Sequence, residues 1–499
     1  MRKIISLLAI VLWLSSCEQY LDINTDPNSP AEENVSNGMI FPAAEMNMAA
    51  SYGNFLRIVG GYYAQHYAQS FGTSNYLDYS QFIMSATRSS NTYAQLYSRT
   101  LKNLATIRQQ AEAAEEWGSY LAATTLRAFT FQVLVDAYGE TPYTQSLYVA
   151  IVSPEYDSGD AVYAGILAEL DAALAKVAAS DRVCTNFLFG TSAVGEWIQF
   201  AKALKLKLLM RTSKVKNVQT ELAALIAEDN FPTSDVAWND CWTNETGKAN
   251  PFYQEEYATY FGSTQVNVVA NIAYMKTLTD AGDGRTGSFF NTNGSGNYTG
   301  GVSGTNFSTT PTAYPSAYFC RPKITYDAPV YLITVSEIEF FLAEYYARYG
   351  TSTEAEAHYK AAIDASFDAA GATGAADIYT APSPYAWNNT EYEKLIGIQK
   401  WVALGGVNNF EAWCELRRLK YPAFGTVTGA DLYDVTDNTA SAYKPDIYVA
   451  GTLYTPITYN TDLGAGKVLQ RLRYAESSSS RNSNAPANKG DATPVFWAE

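Results

Sequence analysis

Two adjacent helix-like segments in the second half of the chain constrain its fold more than any other sequence feature. They cover residues 336–349 and 353–369, and Gly350 separates them. In both segments small residues alternate with bulky apolar residues at helical spacing, so each helix has a face that can be buried. Because the break between them is short, the two helices should pack antiparallel as a hairpin.

The small residues indicate how closely these two helices approach each other. Ala343, Ala355 and Ala362 alternate with Tyr346 and Tyr359, which is close to the pattern of a tetratricopeptide unit. Three earlier segments have the same helical period, at residues 121–138, 160–178 and 197–211. Their blurred periods leave open whether they are copies of the same hairpin. The pattern predicts a mainly α fold built from helical hairpins.

Two long segments lack the helical period. Residues from about 231 to 329 and from about 421 to 499 are rich in Gly, Asn, Ser and Thr with interspersed Tyr and Phe. This composition predicts loops and short strands. Loops of this length usually carry function or bind partners. We therefore expect the helices to support a loop-rich face with a few short strands.

The composition excludes several classes of function. The 499 residues include 34 Lys and Arg against 50 Asp and Glu, which gives a formal net charge of −16. A nucleic-acid partner is excluded because phosphate binding needs clustered basic residues. His66 and His358 are the only histidines, so a His-rich metal site cannot be built. We predict no metal and no cofactor.

Catalytic motifs are missing from the sequence. It contains no P-loop, zinc-protease or nucleophile-elbow motif, and the string GDGRTG at 282–287 follows a helix-like segment where a dinucleotide site needs a strand. We predict no catalytic residues. A glycosidase needs only two carboxylates, so the fifty acidic residues leave that class open.

The first residues have the features of a processing signal. A positive start precedes an apolar run of about eleven residues that ends in the string LSSC, at Cys17. This run is too short to span a bilayer, but it has the length of a signal-peptide core. LSSC resembles the bacterial lipobox, so we predict a signal peptide over residues 1–16 and lipidation of Cys17. The alternative is an ordinary signal peptide that contains a cysteine.

The sequence beyond the predicted anchor leaves two questions of chemistry. The polar stretch 18–33 mimics part of a calcium loop, but Pro27 stands where such a loop needs glycine, so Asx turns are favoured. No two of the remaining cysteines have zinc-site spacing, and both disulfides and free thiols stay open. These cysteines are Cys184, Cys241, Cys320 and Cys414.

Candidate ligand-binding residues are loop aromatics that stand next to amide or carboxylate groups. An aromatic ring stacks on the apolar face of a sugar, while amides and carboxylates bind its hydroxyls. The alternative is that each tyrosine only packs its own loop. The candidates are Asn75, Tyr76, Asp78, Tyr79, Tyr298, Tyr314 and Tyr318, with Asn297 and Asn306 near the last three.

Six sequence blocks follow the LSSC string along the chain. They are LDINTDPNSP, VDAYGETPYTQSL, WIQFAKALKLKLLMR, ITVSEIEFFLAEYYARYG, IGIQKWVALGGVNNFEAWCELRRLKYP and the terminal VFWAE. Together they resemble the SusD/RagB family of nutrient-binding surface lipoproteins, particularly its second SusD-like subfamily. The combination of QKWVAL with EAW and RRLKYP is the most specific. The resemblance covers residues 17–499 and implies a single domain with the two loop-rich insertions.

The resemblance implies a specific fold and role. It implies four tetratricopeptide-like helix pairs in a lipoprotein that is exposed on the outer membrane and held there by its lipid alone. The protein would not be an enzyme; it would bind an oligosaccharide nutrient as the lid of a SusC-like, TonB-dependent transporter. Alternatives are an oligopeptide ligand, a surface glycoside hydrolase, or a scaffold that binds only protein.

The sequence also departs from the pattern of its relatives. GDGRTG stands where relatives often have a DPR-type turn, and Tyr93 stands where a tryptophan is common. We add Tyr93 to the candidate ligand-binding residues on this ground.

Overall fold

The computed structural model describes residues 35–258, 266–304, 318–437 and 439–499. Several predictions fall outside these residues, namely the signal peptide, the lipidation of Cys17, the turns of the stretch 18–33, and the roles of Asn306 and Tyr314. Within the described residues, no helix has the length and apolar character that crossing a membrane requires.

Helices follow one another through the first part of the described chain. They are α1 (Asn37–Ser51), α2 (Arg57–Tyr63), α3 (Leu77–Ser80), α4 (Ser90–Gln95), α5 (Lys102–Ala113), α6 (Trp117–Tyr138), α7 (Gly159–Lys176), α8 (Gly195–Thr212) and α9 (Gln219–Ala227). Short π-helical segments, Tyr52–Leu56 and Leu96–Leu101, join α1 to α2 and α4 to α5.

The second part alternates short and long helices. They are α10 (Pro251–Tyr253), α11 (Ile272–Asp280), α12 (Thr286–Phe289), α13 (Val335–Tyr349), α14 (Ser352–Ala369), α15 (Ala375–Tyr379), α16 (Tyr392–Leu404), α17 (Asn409–Leu419), α18 (Gly429–Leu432) and α19 (Glu476–Ser479). A π-helical turn, Gln254–Ala258, follows α10. Short 3₁₀ turns cover Asn389–Glu391, Ala440–Ala442 and Pro445–Ile447.

Four short strands form two antiparallel pairs within the described residues. β1 (Tyr67–Gln69) pairs with β3 (Val268–Ala270), and β2 (Val236–Trp238) pairs with β4 (Val330–Ile333). Both pairs join the segment 231–329 to a helical block. That segment also contains α10, α11 and α12, so it holds more helix than its composition predicts.

The mainly α prediction is confirmed. The five helices predicted from their spacing are present as α6, α7, α8, α13 and α14, and each begins within four residues of its predicted start. Consecutive helices pack together in pairs, α5 with α6, α7 with α8, α13 with α14, and α16 with α17. A few short strands accompany them, as expected.

The hairpin of α13 and α14 shows how the local sequence sets the architecture. The hydroxyl of Thr351 accepts a hydrogen bond from Glu354 N (3.2 Å), and the Glu354 carboxylate accepts one from Thr351 N (3.0 Å). This capping box starts α14 immediately after α13 ends. A Cβ atom at Gly350 would lie 2.5 Å from the ring of Tyr346. Only glycine therefore fits the tight connection.

Buried ion pairs join the helices in the interior. They connect α8 with α13, α16 with α17, and α17 with α13, and their side chains are at most 3% exposed. The pairs are Lys207–Glu337 (3.0 Å), Lys400–Glu415 (3.0 Å) and Arg418–Glu344 (2.5 Å). Because a buried charge is costly without a partner, these pairs fix the relative positions of the helices.

The C-terminal segment 421–499 is held against this helical core. Trp497, from the terminal VFWAE block, is 1% exposed, and its indole nitrogen donates to the Asp136 carboxylate of α6 (2.7 Å). Arg471 pairs with Glu140 at 2.6 Å, just beyond the end of α6. The described residues of this segment form isolated bridges and short helices.

Candidate ligand-binding cleft

A cleft of about 710 Å³ opens where α1, α4 and α10 approach one another. Its volume lies in the range of pockets that bind small molecules. The lining residues are Met46, Ala50, Ser51, Asn54, Phe55, Arg88, Asn91, Thr92, Gln95, Phe187, Cys241, Trp242, Gly247, Lys248, Ala249, Pro251, Gln254 and Glu255. Four distant segments of the sequence thus supply one wall each.

Three aromatic rings line the cleft. Phe187 is 42% exposed, and Phe55 and Trp242 are half-buried. The indole nitrogen of Trp242 donates to the carbonyl of Trp238 at 2.9 Å, which holds the ring in place. An anchored ring with accessible surface offers an apolar face to a ligand at little cost in conformational entropy.

The loop that carries Phe187 is fixed by a carboxylate of α1. The Glu45 carboxylate accepts hydrogen bonds from the backbone N–H of Phe187 (2.7 Å) and of Leu188 (3.0 Å). Burial raises the pKa of Glu45 to about 7, while the two backbone donors act in the opposite direction. The position of Phe187 therefore depends on a group that titrates near neutral pH.

Amide side chains line the same cleft as these rings. Asn54, Asn91, Gln95 and Gln254 line the cleft, and the Gln254 carbonyl oxygen also accepts from Gly247 N at 2.9 Å. An amide both donates and accepts hydrogen bonds, as does a sugar hydroxyl or a peptide unit. The cleft therefore suits a neutral ligand that is rich in hydrogen-bonding groups.

The charged residues of the cleft are partly exposed. Arg88 pairs with Asp78 at 3.0 Å and lies over the ring of Tyr79, 5.3 Å from its centroid. Lys248 pairs with Glu245 at 2.7 Å. Burial raises the pKa of Glu255, the only carboxylate among the described lining residues, against a hydrogen bond from Asn54.

The structure brings four predicted residues together behind the cleft wall. Tyr76 and Tyr79 stack with ring centroids 5.6 Å apart, and Tyr79 meets the cleft residue Phe55 edge-on at 6.4 Å. Asp78 holds Arg88, as described above. Tyr76 and Tyr79 are only 7% and 3% exposed. Their faces are covered by protein, so they support the wall from behind and are not accessible from the cleft.

The same layer contains a second carboxyl group with a raised pKa. The Tyr76 hydroxyl donates to Glu256 at 2.6 Å, and burial raises the pKa of Glu256 to about 7. The Asn75 amide donates to Asn267 at 3.1 Å. These contacts tie the α3 region to the segment around α10, which forms the opposite wall of the cleft.

Tyr93 is adjacent to the cleft but does not line it. Helix α4 turns Asn91, Thr92 and Gln95 toward the cleft and turns Tyr93 into the core. The Tyr93 ring is 4% exposed and lies edge-on to Tyr138 at 5.2 Å.

The remaining described candidates lie elsewhere. Tyr298 is 37% exposed, and Tyr318 packs edge-on against Phe319 and Tyr443. Neither is among the residues that line the cleft. Asn297, next to Tyr298, is exposed, and its backbone carbonyl accepts from the Cys320 thiol at 3.4 Å.

Sequence reasoning did not find the rings that the cleft presents. Phe55, Phe187 and Trp242 lie in three separate segments, and none of them was among the loop aromatics chosen as candidates. The string around Trp242, CWTNETGKANPFYQEE, combines aromatic residues with amides and carboxylates as the Tyr76 cluster does. This combination could have indicated Trp242 as a candidate.

A buried acidic cluster elsewhere in the structure does not fit a metal ion. Asp136, Glu411 and Cys414 place ligand atoms within 4.8 Å of one another. However, Arg211 forms ion pairs with both carboxylates, and Trp497 donates to Asp136. A cation already neutralises the cluster.

The cysteines Cys184, Cys241, Cys320 and Cys414 are free thiols.

Comparisons with known proteins identify the fold. A solved SusD homolog from Bacteroides uniformis is 20% identical, with a TM-score of 0.73 over 94% of this chain and 100% of that one. A chitin-binding protein is 18% identical, with a TM-score of 0.72 over 93% and 100%. A chitin-binding SusD homolog from Flavobacterium johnsoniae is 20% identical, with a TM-score of 0.68 over 91% and 98%. No curated protein gives a significant match.

At these identities the solved structures establish the fold alone. The family itself follows from the sequence. Residues 27–442, which make up most of the chain, match the family model SusD-like_2, described as starch-binding and associating with the outer membrane. The chain therefore belongs to the SusD-like family.

Proposed function

We propose that this protein captures an oligosaccharide in the cleft between α1, α4 and α10 at the cell surface, without catalysing a reaction, and passes it to a SusC-like, TonB-dependent transporter. The observation that carries the proposal is the composition of the cleft, which is lined by three partly exposed aromatic rings and four amide side chains. Sugar rings stack on aromatic faces while their hydroxyls bind amides.

The physical properties of the cleft suit capture followed by release. Most of its hydrogen-bonding groups are neutral amides, its charged groups are partly exposed, and its two cations, Arg88 and Lys248, are already paired. Contacts of this kind give modest affinity, since each hydrogen bond to the ligand replaces one to water. A protein that hands its ligand to a transporter must be able to release it.

The comparisons support a glycan as the ligand class. The family description names starch, and two of the similar solved structures are titled chitin-binding. An oligopeptide is the main alternative, because amides and a carboxylate also bind a peptide backbone.

A binding role fits the cleft better than hydrolysis does. Glycoside hydrolysis needs two carboxyl groups roughly 5–10 Å apart across the bond that is cut. Glu255 is the only carboxylate among the described residues that line the cleft. The cleft therefore offers one half of the required pair.

Surface attachment and the transporter partner rest on other features. The predicted lipid on Cys17 would hold the protein at the outer membrane. The uncharged segment 141–154 exposes a run of apolar side chains, with Val149 and Val152 at 100% and 87% exposure. Exposed apolar runs of this kind mark contact surfaces. We propose that this segment contacts the transporter.

The experiment that tests capture is a binding screen of the chain from Glu18 onward. Affinity gel electrophoresis and calorimetry would compare starch, chitin oligosaccharides and plant polysaccharides with oligopeptide mixtures. We expect saturable binding to one glycan class, weakened at least tenfold by Trp242→Ala. Tyr326→Ala removes a 36% exposed ring outside the cleft and should leave binding unchanged.

Three outcomes would change the proposal. Binding to oligopeptides alone would favour the alternative ligand. Glycan binding that is lost in Tyr298→Ala but retained in Trp242→Ala would move the site to the loop around Tyr298. Release of shortened products during the incubation would indicate a hydrolase.

The transporter contact is tested by co-purification. We expect the double substitution Val149→Asp and Val152→Asp to abolish recovery of the transporter with the tagged protein, because a desolvated charge is unfavourable at an apolar contact. Calorimetry should show unchanged glycan binding, since the segment lies outside the cleft. If only membrane attachment were lost, the segment would contact lipid; unchanged recovery would place the transporter contact elsewhere.

A further inference from the structure

A second cavity, of about 220 Å³, lies between β4, the start of α13 and the end of α14. No described residue lines both this cavity and the ligand-binding cleft. Its wall contains Arg57, the first residue of α2, together with Asp235, Lys323 and the hydroxyl residues Ser288 and Thr334. The cavity is thus a separate feature of the fold.

Arg57 is buried with most of its hydrogen-bonding capacity unused. The residue is 7% exposed, and its guanidinium carbon lies 4.8 Å from the centroid of the Phe252 ring. One terminal nitrogen, Nη2, donates to the carbonyl of Gly406 at 2.6 Å. The buried Nε has no hydrogen-bond partner. A guanidinium carries five N–H donors, so several remain available.

No carboxylate in the described part of the chain pairs with Arg57. The internal segments outside that part, 259–265 and 305–317, contain no Asp or Glu. Asp235 lines the same cavity, but its carboxylate accepts from Val335 N at 2.8 Å and forms no ion pair with Arg57. Burial also raises the pKa of Asp235, which weakens it as a counter-charge.

The other buried arginines show how unusual this is. Arg127, Arg211, Arg285, Arg418 and Arg471 each pair with a carboxylate. Arg417 lacks such a pair and also lines a cavity, but its nitrogens donate to three backbone carbonyls and to the Cys414 sulfur. A buried charge is costly unless it is paired and hydrogen-bonded. Arg57 lies beside its cavity with neither a carboxylate partner in the described residues nor a full set of backbone acceptors.

The charges around the cavity favour an anion. Lys323 stands at the exposed edge, where its ammonium donates to the Gly287 carbonyl at 3.1 Å. Two cationic side chains therefore face the single carboxylate of Asp235. The first turn of α13, which begins at Val335, adds the partial positive charge of a helix N-terminus.

We propose that this cavity binds a small oxyanion, a carboxylate or an inorganic phosphate, whose oxygens accept hydrogen bonds from the unpaired donors of Arg57. A guanidinium matches the geometry of both groups because its donors form a planar fork. The volume of about 220 Å³ limits the ligand to a small molecule or to one acidic group of a larger one. The anion completes the pairing that the described part of the chain does not provide.

The test uses calorimetry and thermal unfolding of the chain from Glu18 onward. The probes are acetate, glucuronate and inorganic phosphate, with glucose as the neutral counterpart of glucuronate and chloride as the ionic-strength control. We expect one site per chain for a carboxylate or for phosphate, a higher unfolding temperature in its presence, and no response to glucose. The probe that binds tells a carboxylate ligand from a phosphate ligand.

Matched variants assign the site. Arg57→Met keeps an unbranched apolar side chain but removes the guanidinium and its charge, and it should weaken anion binding at least tenfold. Arg88→Met makes the same change in the ligand-binding cleft and should leave anion binding unchanged. Lys323→Gln changes an exposed residue, so it should fold normally, and it should weaken binding about threefold through the lost charge.

The proposal is overturned if no probe binds, or if Arg57→Met and Lys323→Gln both bind the anion as the unchanged protein does. If Arg57→Met does not fold, the Lys323→Gln titration and the anomalous signal of crystals soaked in arsenate or bromoacetate decide, since these ions are heavy-atom analogues of phosphate and of acetate. An anomalous peak beside Arg57 supports the site, and an empty cavity at saturating concentrations of both ions refutes it. Anion binding that is lost in Trp242→Ala would assign the anion to the cleft and also refute this proposal.

Discussion

The interior of the helical scaffold and the wall of the ligand-binding cleft both contain ion pairs, in different surroundings. Between α8, α13, α16 and α17 the paired side chains are at most 3% exposed. In the cleft, the side chains of Arg88 and Lys248 are 43% and 63% exposed. An exposed pair contributes little to stability because water competes for both charges. When a buried pair loses one partner, the other is left as an unpaired buried charge, which is costly.

This difference separates the two roles of the molecule. The scaffold charges are shielded from water and pair only with one another, so they fix how the helices meet. The cleft charges can exchange a protein partner for a ligand or for water at low cost. Affinity can therefore change in the cleft without disturbing the fold, and substitutions in the two regions should have separable effects.

The largest effect is expected when one partner of a buried pair is removed. Arg418→Met leaves Glu344 and Glu415 without their shared guanidinium, and we expect a loss of about 3–5 kcal/mol in the free energy of unfolding. Urea unfolding followed by circular dichroism measures this loss. The matched change in the cleft, Arg88→Met, is the control. Equal losses in the two variants would remove the distinction between the regions.

A second prediction concerns Glu45, which belongs to the scaffold helix α1 but holds the cleft residue Phe187. Its pKa is about 7 in the folded protein and about 4.5 when unfolded, so the folded state binds the proton more tightly. The stabilisation that this proton provides is fully present below the unfolded pKa and is lost as the pH rises through 7. Its upper limit is about 3 kcal/mol.

Unfolding of the unchanged protein and of Glu45→Gln at pH 5 and pH 8 tests this prediction. Glutamine cannot ionise, so the free-energy difference between the two proteins should grow in favour of glutamine at pH 8. A difference that stays constant between the two pH values would show that Glu45 does not titrate in this range.

The smallest effect on stability is expected for Arg88→Met itself. The exposed pair with Asp78 contributes roughly 0–1 kcal/mol to the free energy of unfolding. Ligand affinity should nevertheless fall by a few-fold, because Arg88 lines the cleft and lies over Tyr79. Calorimetry with the glycan found in the screen gives the affinity, and a loss of stability above 2 kcal/mol would show that Arg88 belongs to the scaffold.

Part of the cleft could be located from the sequence, although the contacting rings could not. The cluster around Tyr76 and Tyr79 is next to the cleft, so the local pattern of aromatic and polar residues indicated the region in which the cleft forms. Within this region, the packing buries a ring that we predicted to be exposed and exposes a ring that we did not predict. Tyr79 packs behind Phe55, while Phe55, in an unremarked helical segment, faces the cleft. Local composition does not show which side of a residue another element will cover.

The sequence by itself determined the helical hairpins and the family. Residues three and four apart share a helix face, so the period of apolar residues predicts α6, α7, α8, α13 and α14 without knowledge of their neighbours. A helix with this period forms through contacts between residues that are close in the sequence. The ordered sequence blocks identified the SusD-like family in the same way.

Only the tertiary structure decided which charges are buried and which rings are exposed. The cleft joins residues as distant as Met46 and Glu255, and the second cavity joins Arg57 to Val407. Burial and pairing depend on every element that packs against a side chain, and these partners lie hundreds of residues apart. Arg57 is buried and has no carboxylate partner in the described residues because of how these elements pack. No local sequence pattern predicts this.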